Sequence, residues 1–217
     1  MRNVFKLFMT ACLLVSVAMT GVAQKDYSKS EGLLKYVDPY IGSGFHGHVF
    51  VGTSVPYGMV QVGPNNIHKG WDWCSGYHYS DSILIGFSQT HLNGTGCTDL
   101  GDIMIMPMNE IRTERGKQSD ISNGYASKYS HENEIARPEY YSLLVERYNI
   151  KAEMTATDRV GFHRYTYPAG KPASILVNLH EGNSYTKAKM CYVRKVDDYT
   201  IEGYRYSHDW APNRKVY

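Results

Sequence analysis

Between Gly70 and Tyr79 the sequence reads Gly-Trp-Asp-Trp-Cys-Ser-Gly-Tyr-His-Tyr, which sets four aromatic rings beside a carboxylate and an imidazole. Aromatic faces stack on the C–H patches of a sugar ring, while Asp, Asn, His and backbone groups beside them take its hydroxyls, so the segment suits a carbohydrate. A tryptophan pair in a sandwich core has the same composition, and the segment alone does not separate the two. Upstream, Gly42-Ser43-Gly44-Phe45-His46-Gly47 satisfies G-x-G-x-x-G, but a dinucleotide fingerprint needs a buried strand before it and a helix after it. Here Tyr36-Val37-Asp38-Pro39-Tyr40 precedes it, and His48-Val49-Phe50-Val51-Gly52, which reads as a strand, follows. The glycines therefore serve a tight loop of positive φ, or let the backbone come close to a ligand.

Other chemistry is less well supported. His46, His48, His78, His91 and Cys97 offer imidazole and thiol ligands, yet neither C-x-x-C nor H-E-x-x-H spacing occurs, and no metal is expected in this chain. Asp99 and Asp102 form a carboxylate pair that would suit an acid and base or calcium ligands. The favoured alternative is that both accept backbone N–H groups in a turn before a strand from Ile103 to Met108. Nucleophilic serine chemistry has no elbow motif to support it, and cysteine catalysis has no support either.

The elements that must hold these residues divide the chain by composition. Between Tyr40 and Asn109 lie 12 of the 20 glycines and five of the nine histidines, but only Lys69, Asp72, Asp81, Asp99 and Asp102 are charged, so this half is expected to be mostly loops. From Glu110 onward the text changes. Ile150, Ala152, Met154 and Ala156 alternate with Lys151, Glu153, Thr155 and Thr157, the period of a half-buried strand. Tyr140 to Tyr148, Val160 to Tyr167, Ala173 to His180 and Tyr199 to Tyr206 read similarly, with turn residues between them. Short strands at such regular spacing predict an all-β fold, an antiparallel β-sandwich or barrel. Helical periodicity is confined to Glu31 to Tyr36.

The first 23 residues are set apart. Arg2 and Lys6 form a basic start, Leu7 to Val17 carries no charge, and Gly21-Val22-Ala23 offers small residues to a signal peptidase, so residues 1–23 read as a signal peptide and the mature chain starts near Gln24. Met9-Thr10-Ala11-Cys12 loosely resembles a lipoprotein box, but a lipidated cysteine should end the apolar run, which continues to Met19. The chain is expected to be exported, to a bacterial periplasm ahead of a lipoprotein or secreted fate, with no membrane span in the mature protein. The 23 basic residues lose Arg2 and Lys6 with the leader and so balance the 21 acidic ones, which removes the electrostatic case for a nucleic-acid partner. Cys74, Cys97 and Cys191 remain, an odd number that allows at most one bridge.

Four ordered motifs carry a resemblance. Val37-Asp38-Pro39-Tyr40-Ile41-Gly42, then Gly47-His48 with Pro56-Tyr57-Gly58-Met59-Val60-Gln61, then Trp71 to Tyr77, then Gly86-Phe87-Ser88-Gln89-Thr90-His91-Leu92-Asn93-Gly94-Thr95-Gly96 resemble the N-terminal domain of glycoside hydrolase family 92. The resemblance implies a β-sandwich over residues 36–217 after a lead-in at 24–35, and an exo-acting, inverting α-mannosidase whose substrate is a mannose-containing glycan. It implies that the catalytic carboxylates and the calcium of the full enzyme belong to a C-terminal helical barrel not present in this chain. The sandwich is then incomplete at its C-terminus, where Asn213 to Tyr217 starts a further strand, and inactive alone. By the same resemblance this domain supplies one wall of the sugar pocket: Gly44 and Phe45 from the glycine loop, Trp71 and Trp73 as stacking surfaces, and Asp72, His91 and Asn93 for hydroxyls. If the 71–73 segment is extended, Trp71 and Trp73 share a face. The alternative is a stand-alone carbohydrate-binding or adhesion sandwich without catalysis.

Overall fold

The computed structural model describes residues 32–183, 187–208 and 210–217; the expected leader and all but the last residues of the lead-in lie outside them. The chain forms two units, residues 1–36 and 37–217. In the first, the described structure is a single 3₁₀ turn, Leu33–Tyr36, where the sequence reading allowed a helix.

The second unit is all-β. Its strands in chain order are β1 (Thr53–Ser54), β2 (Gln61–Asn66), β3 (Ile83–Ser88), β4 (Met104–Met108), β5 (Ser127–Lys128), β6 (Glu134–Arg137), β7 (Tyr140–Val145), β8 (Ile150–Ala156), β9 (Gly161–Thr166), β10 (Ser174–Asn178), β11 (Ala188–Lys195), β12 (Ile201–Ser207) and β13 (Arg214–Val216). All pairs are antiparallel. One sheet runs β1-β2-β3-β4-β10 with β5 beside β3, a second runs β6-β7-β8-β9, and a third is β11-β12-β13. The first two share one core. Val62, Leu84, Phe87, Met104, Met106 and Met108 from the first sheet pack with Tyr141, Leu143, Val145, Ile150, Ala152 and Met154 from the second. Alternation along β8 places Ile150, Ala152 and Met154 inward and leaves Lys151 and Thr155 outside, as the period of two requires. Ile150 and Met154 each contribute about 1.5–3 kcal/mol by leaving water, and the Ala152 methyl less than about 1 kcal/mol.

The glycine-rich half is mostly loop, as its composition suggested, yet it also supplies β1 to β4, and so most of the first sheet. β2 escaped notice because Asn65 and Asn66 are buried in it beside Val62, Gly63 and Pro64. Asn66 donates through Nδ2 to the Ile83 carbonyl (2.9 Å), and Asn65 accepts through Oδ1 from the Ser88 hydroxyl (2.6 Å). Partners of this kind offset much of the cost of burial, although the Asn65 amide nitrogen finds none, and the buried asparagines erase the apolar alternation that marks a strand. Conversely, His48 to Gly52 is not a strand. His48 has φ 55°, and the Phe50 N–H donates to the Asn93 side chain (3.3 Å) instead of to a neighbouring strand.

The third sheet is fastened by charge. Arg205 on β12 and Arg214 on β13 reach Asp99 and Asp102, all four buried or nearly so. Arg214 Nη1 meets Asp99 Oδ2 at 2.7 Å, Arg205 Nη1 donates to Asp102 Oδ1, and Thr90 Oγ1 donates to Asp102 Oδ2 at 3.0 Å. Burial works against ionisation of Asp99, but the Arg214 hydrogen bond, with the Ala211 and Leu100 N–H groups, holds it below the usual carboxylate range. The two aspartates therefore serve neither as a free acid–base pair nor only as turn acceptors. They are neutralised by arginines, a donor set that does not fit a calcium ion, and no step is assigned to a metal here. Among the described residues, no group of three or more His, Cys, Asp or Glu side chains is arranged to hold one.

Candidate functional site

Three loops meet around Asp72. The first, residues 40–50, is folded back on itself: Val49 N–H donates to the Gly42 carbonyl (3.1 Å) and Gly47 N–H to the Gly44 carbonyl (3.2 Å). Gly47 is required by close approach, since a Cβ there would lie 2.1 Å from the Gly42 carbonyl oxygen. Phe45 (φ 49°) and His48 (φ 55°) both adopt the left-handed region, a local strain that often accompanies binding sites. The second loop carries the 3₁₀ turn Trp71–Trp73. The third, residues 93–97, is tied to the first by the Gly94 N–H donating to the His48 carbonyl (2.8 Å) and to the second by Trp71 Nε1 donating to the Gly96 carbonyl (3.0 Å).

The turn separates the two tryptophans. At three residues per turn, positions i and i+2 point about 120° apart, so the shared face expected of an extended segment is not formed. Trp71 is 56% exposed and packs edge-on against His48, with centroids 4.2 Å apart at 85°. Trp73 instead donates from Nε1 to Asp81 (2.8 Å) and stacks on His78 (4.3 Å, 21°). Lys69 completes that cluster with a 2.8 Å ion pair to Asp81.

Asp72 accepts from His46 Nδ1 at 2.5 Å, and His48 Nε2 stands 3.6 Å from the same oxygen. The His46 hydrogen bond, helped by His48, holds the Asp72 carboxyl below its ordinary value. Asp72 Oδ2 accepts no hydrogen bond among the described residues. Phe45 is exposed on the first loop, while its carbonyl receives His78 Nε2 (3.3 Å). Gly44 lies beside Tyr79, and exposed Asn93 spends its carbonyl on Phe50 N–H.

The structure thus gathers Gly44, Phe45, Trp71, Asp72 and Asn93 on joined loops and turns Trp73 away. His91 is internal. Its Nδ1 bonds to the Gln61 carbonyl (2.8 Å), its ring stacks on Phe50 (4.8 Å, 13°), and burial lowers its pKa to about 4. His46 and His48, which the sequence offered only as metal ligands, instead bracket Asp72. Their spacing contains no signal for that, because it depends on a loop that Gly42 and Gly47 fold shut.

An all-β, antiparallel sandwich domain with an aromatic and carboxylate loop cluster is the class that fold and site define. The chain belongs to glycosyl hydrolase family 92: the description of that family's N-terminal domain matches residues 36–217. It is similar to a family 92 α-mannosidase of Bacteroides thetaiotaomicron solved with mannoimidazole, at 38% identity and TM-score 0.81, over 85% of this chain and 24% of that one. A second solved family 92 glycosyl hydrolase is 27% identical at TM-score 0.68, over 85% of this chain and 25% of that one. A secreted glycosidase of Arthroderma benhamiae is 30% identical over 68% of this chain and 20% of its own length. The chain therefore spans about a quarter or less of the relatives it matches. No helix among the described residues is long and apolar enough to cross a membrane.

Proposed function

We propose that this chain is the N-terminal portion of an exo-acting, inverting α-mannosidase, and that its three joined loops form the sugar-facing wall of the pocket. The match of residues 36–217 to the family's N-terminal domain carries the reading, with the 38% identity to a solved α-mannosidase beside it. Within the wall, Trp71 offers its exposed face to the C–H patch of a mannose ring and Asp72 Oδ2 accepts a hydroxyl. Phe45 and the Gly44 backbone border the ring, and the free amide end of Asn93 donates to a further hydroxyl.

Hydrolysis with inversion needs two carboxylates about 6.5–9.5 Å apart with a water between them. Asp99 and Asp102 are consumed by arginines, and Asp72 stands without a second carboxylate in the loop cluster. Catalysis and the calcium are accordingly assigned to polypeptide matching the other three quarters of the relatives. Export through a leader at 1–23 to the periplasm completes the proposal, supported by the leader's sequence pattern and the secreted relative.

The test is release of mannose from α-mannosides by the expressed chain in calcium. No release is expected from the chain alone, whereas a chain extended by a family 92 C-terminal region is active and loses activity on Trp71→Ala. Turnover by the chain alone would sink the assignment of catalysis elsewhere.

A further inference from the structure

We propose that His48 is the positioning residue of this loop cluster, fixing Asp72 and Trp71 in the geometry in which they meet a sugar. The inference rests on the glycan-wall reading above. The His48 side chain is only 6% exposed, and its Nε2 has no hydrogen-bond partner. That nitrogen faces Asp72 Oδ1 at 3.6 Å, while His46, 74% exposed, occupies the same oxygen from the solvent side. The imidazole and the Trp71 ring pack T-shaped with centroids 4.2 Å apart, and the His48 carbonyl anchors the 93–97 loop through Gly94. One residue therefore touches all three loops.

His48 carries two penalties that a purely structural residue would shed. A buried ring nitrogen without a hydrogen bond is costly, and so is a non-glycine residue at φ 55°. An apolar ring would fill the same space without the first of these. What the imidazole adds is a polar atom beneath the carboxylate that keeps Oδ1 turned inward and Oδ2 outward, next to the exposed Trp71 face. Asp72 Oδ2 then meets a hydroxyl without first reorienting, and pre-organisation of that kind raises affinity by lowering the cost of ordering.

The experiment compares the wild-type chain with His48→Phe, which keeps a ring and removes the nitrogen, and His48→Gln, which returns an amide nitrogen near Nε2. Far-UV circular dichroism confirms folding of each. Two quantities are read: the Asp72 carboxyl titration by ¹³C NMR, and the affinity for methyl α-mannoside by NMR titration. His48→Phe is expected to raise the Asp72 midpoint part of the way toward the ordinary carboxylate value, since the His46 hydrogen bond remains, and to weaken binding severalfold through lost pre-organisation. His48→Gln is expected to keep both near wild type. An Asp72 midpoint unmoved by His48→Phe overturns the assignment whatever the sugar does, and so does a folded His48→Phe chain that binds like wild type. Absence of binding in all three chains, with a midpoint that still follows His48, supports His48 as the carboxylate's positioner and overturns the glycan-wall reading instead.

Discussion

Replacing Arg205 by methionine removes the cation from a fully buried ion pair, since both Arg205 and Asp102 have no exposed side-chain surface. The carboxylate stays behind. Thr90 Oγ1 still donates to it at 3.0 Å, and Arg214 remains near, 3.2 Å from Oδ2 and 3.3 Å from Oδ1, but Arg214 already serves Asp99. Breaking a buried pair by removing one partner costs about 3–5 kcal/mol, because the remaining charge is uncompensated. For a domain of this size that lowers Tm by roughly 6–20 °C. The loss is read from urea unfolding followed by circular dichroism. The control is the double variant Arg205→Met with Asp102→Leu, in which no charge is stranded. It is expected to be more stable than Arg205→Met alone, a sign that independent effects cannot produce. A cost for Arg205→Met below about 1 kcal/mol, the range of an exposed pair, would refute the claim that charge fastens the third sheet.

Trp71→Ala is expected to abolish mannoside binding and to destabilise by about 0.5–1.5 kcal/mol through the lost Gly96 hydrogen bond, whereas Trp73→Ala destabilises by about 1.5–3 kcal/mol through the lost hydrogen bond to the charged Asp81; a Trp73→Ala chain more stable than Trp71→Ala would contradict their assigned orientations. Gly47→Ala forces a Cβ onto the Gly42 carbonyl and should unfold the 40–50 loop, seen as fast amide exchange at Val49. Acid should weaken the fold between about pH 6.5 and 4. Burial lowers both His91 and His163 to about 4, so the unfolded chain binds more protons in that window, and their contribution is complete above 6.5 and lost as pH falls through 4. A flat unfolding free energy over that interval would count against both burials.

In the second half of the fold β7, β8, β9, β10 and β12 were legible from their two-residue period, while β5, β6 and β11 were not. Ile150, Ala152 and Met154 point inward in β8 as the alternation requires, and β7, β9, β10 and β12 lie where similar patterns placed them. β2 was hidden by Gly63, Pro64, Asn65 and Asn66, whose side-chain partners, such as Ile83 and Ser88, are distant in sequence. The motifs located the loop cluster, but not its facing. Trp71 and Trp73 diverge because a 3₁₀ turn replaced an extended segment, and His91 withdrew into the core because Gln61 and Phe50 satisfy it there. Partners more than twenty residues apart in sequence, such as His46 and Asp72, leave no local pattern to read.

An NMR titration of the chain with methyl α-mannoside tests the central claim most directly. The account predicts saturable shifts at the Trp71 indole N–H and at the backbone of residues 42–48, 71–73 and 93–96, the backbone shifts being lost in Trp71→Ala. Shifts confined to other surfaces, or binding unchanged by Trp71→Ala, would contradict it.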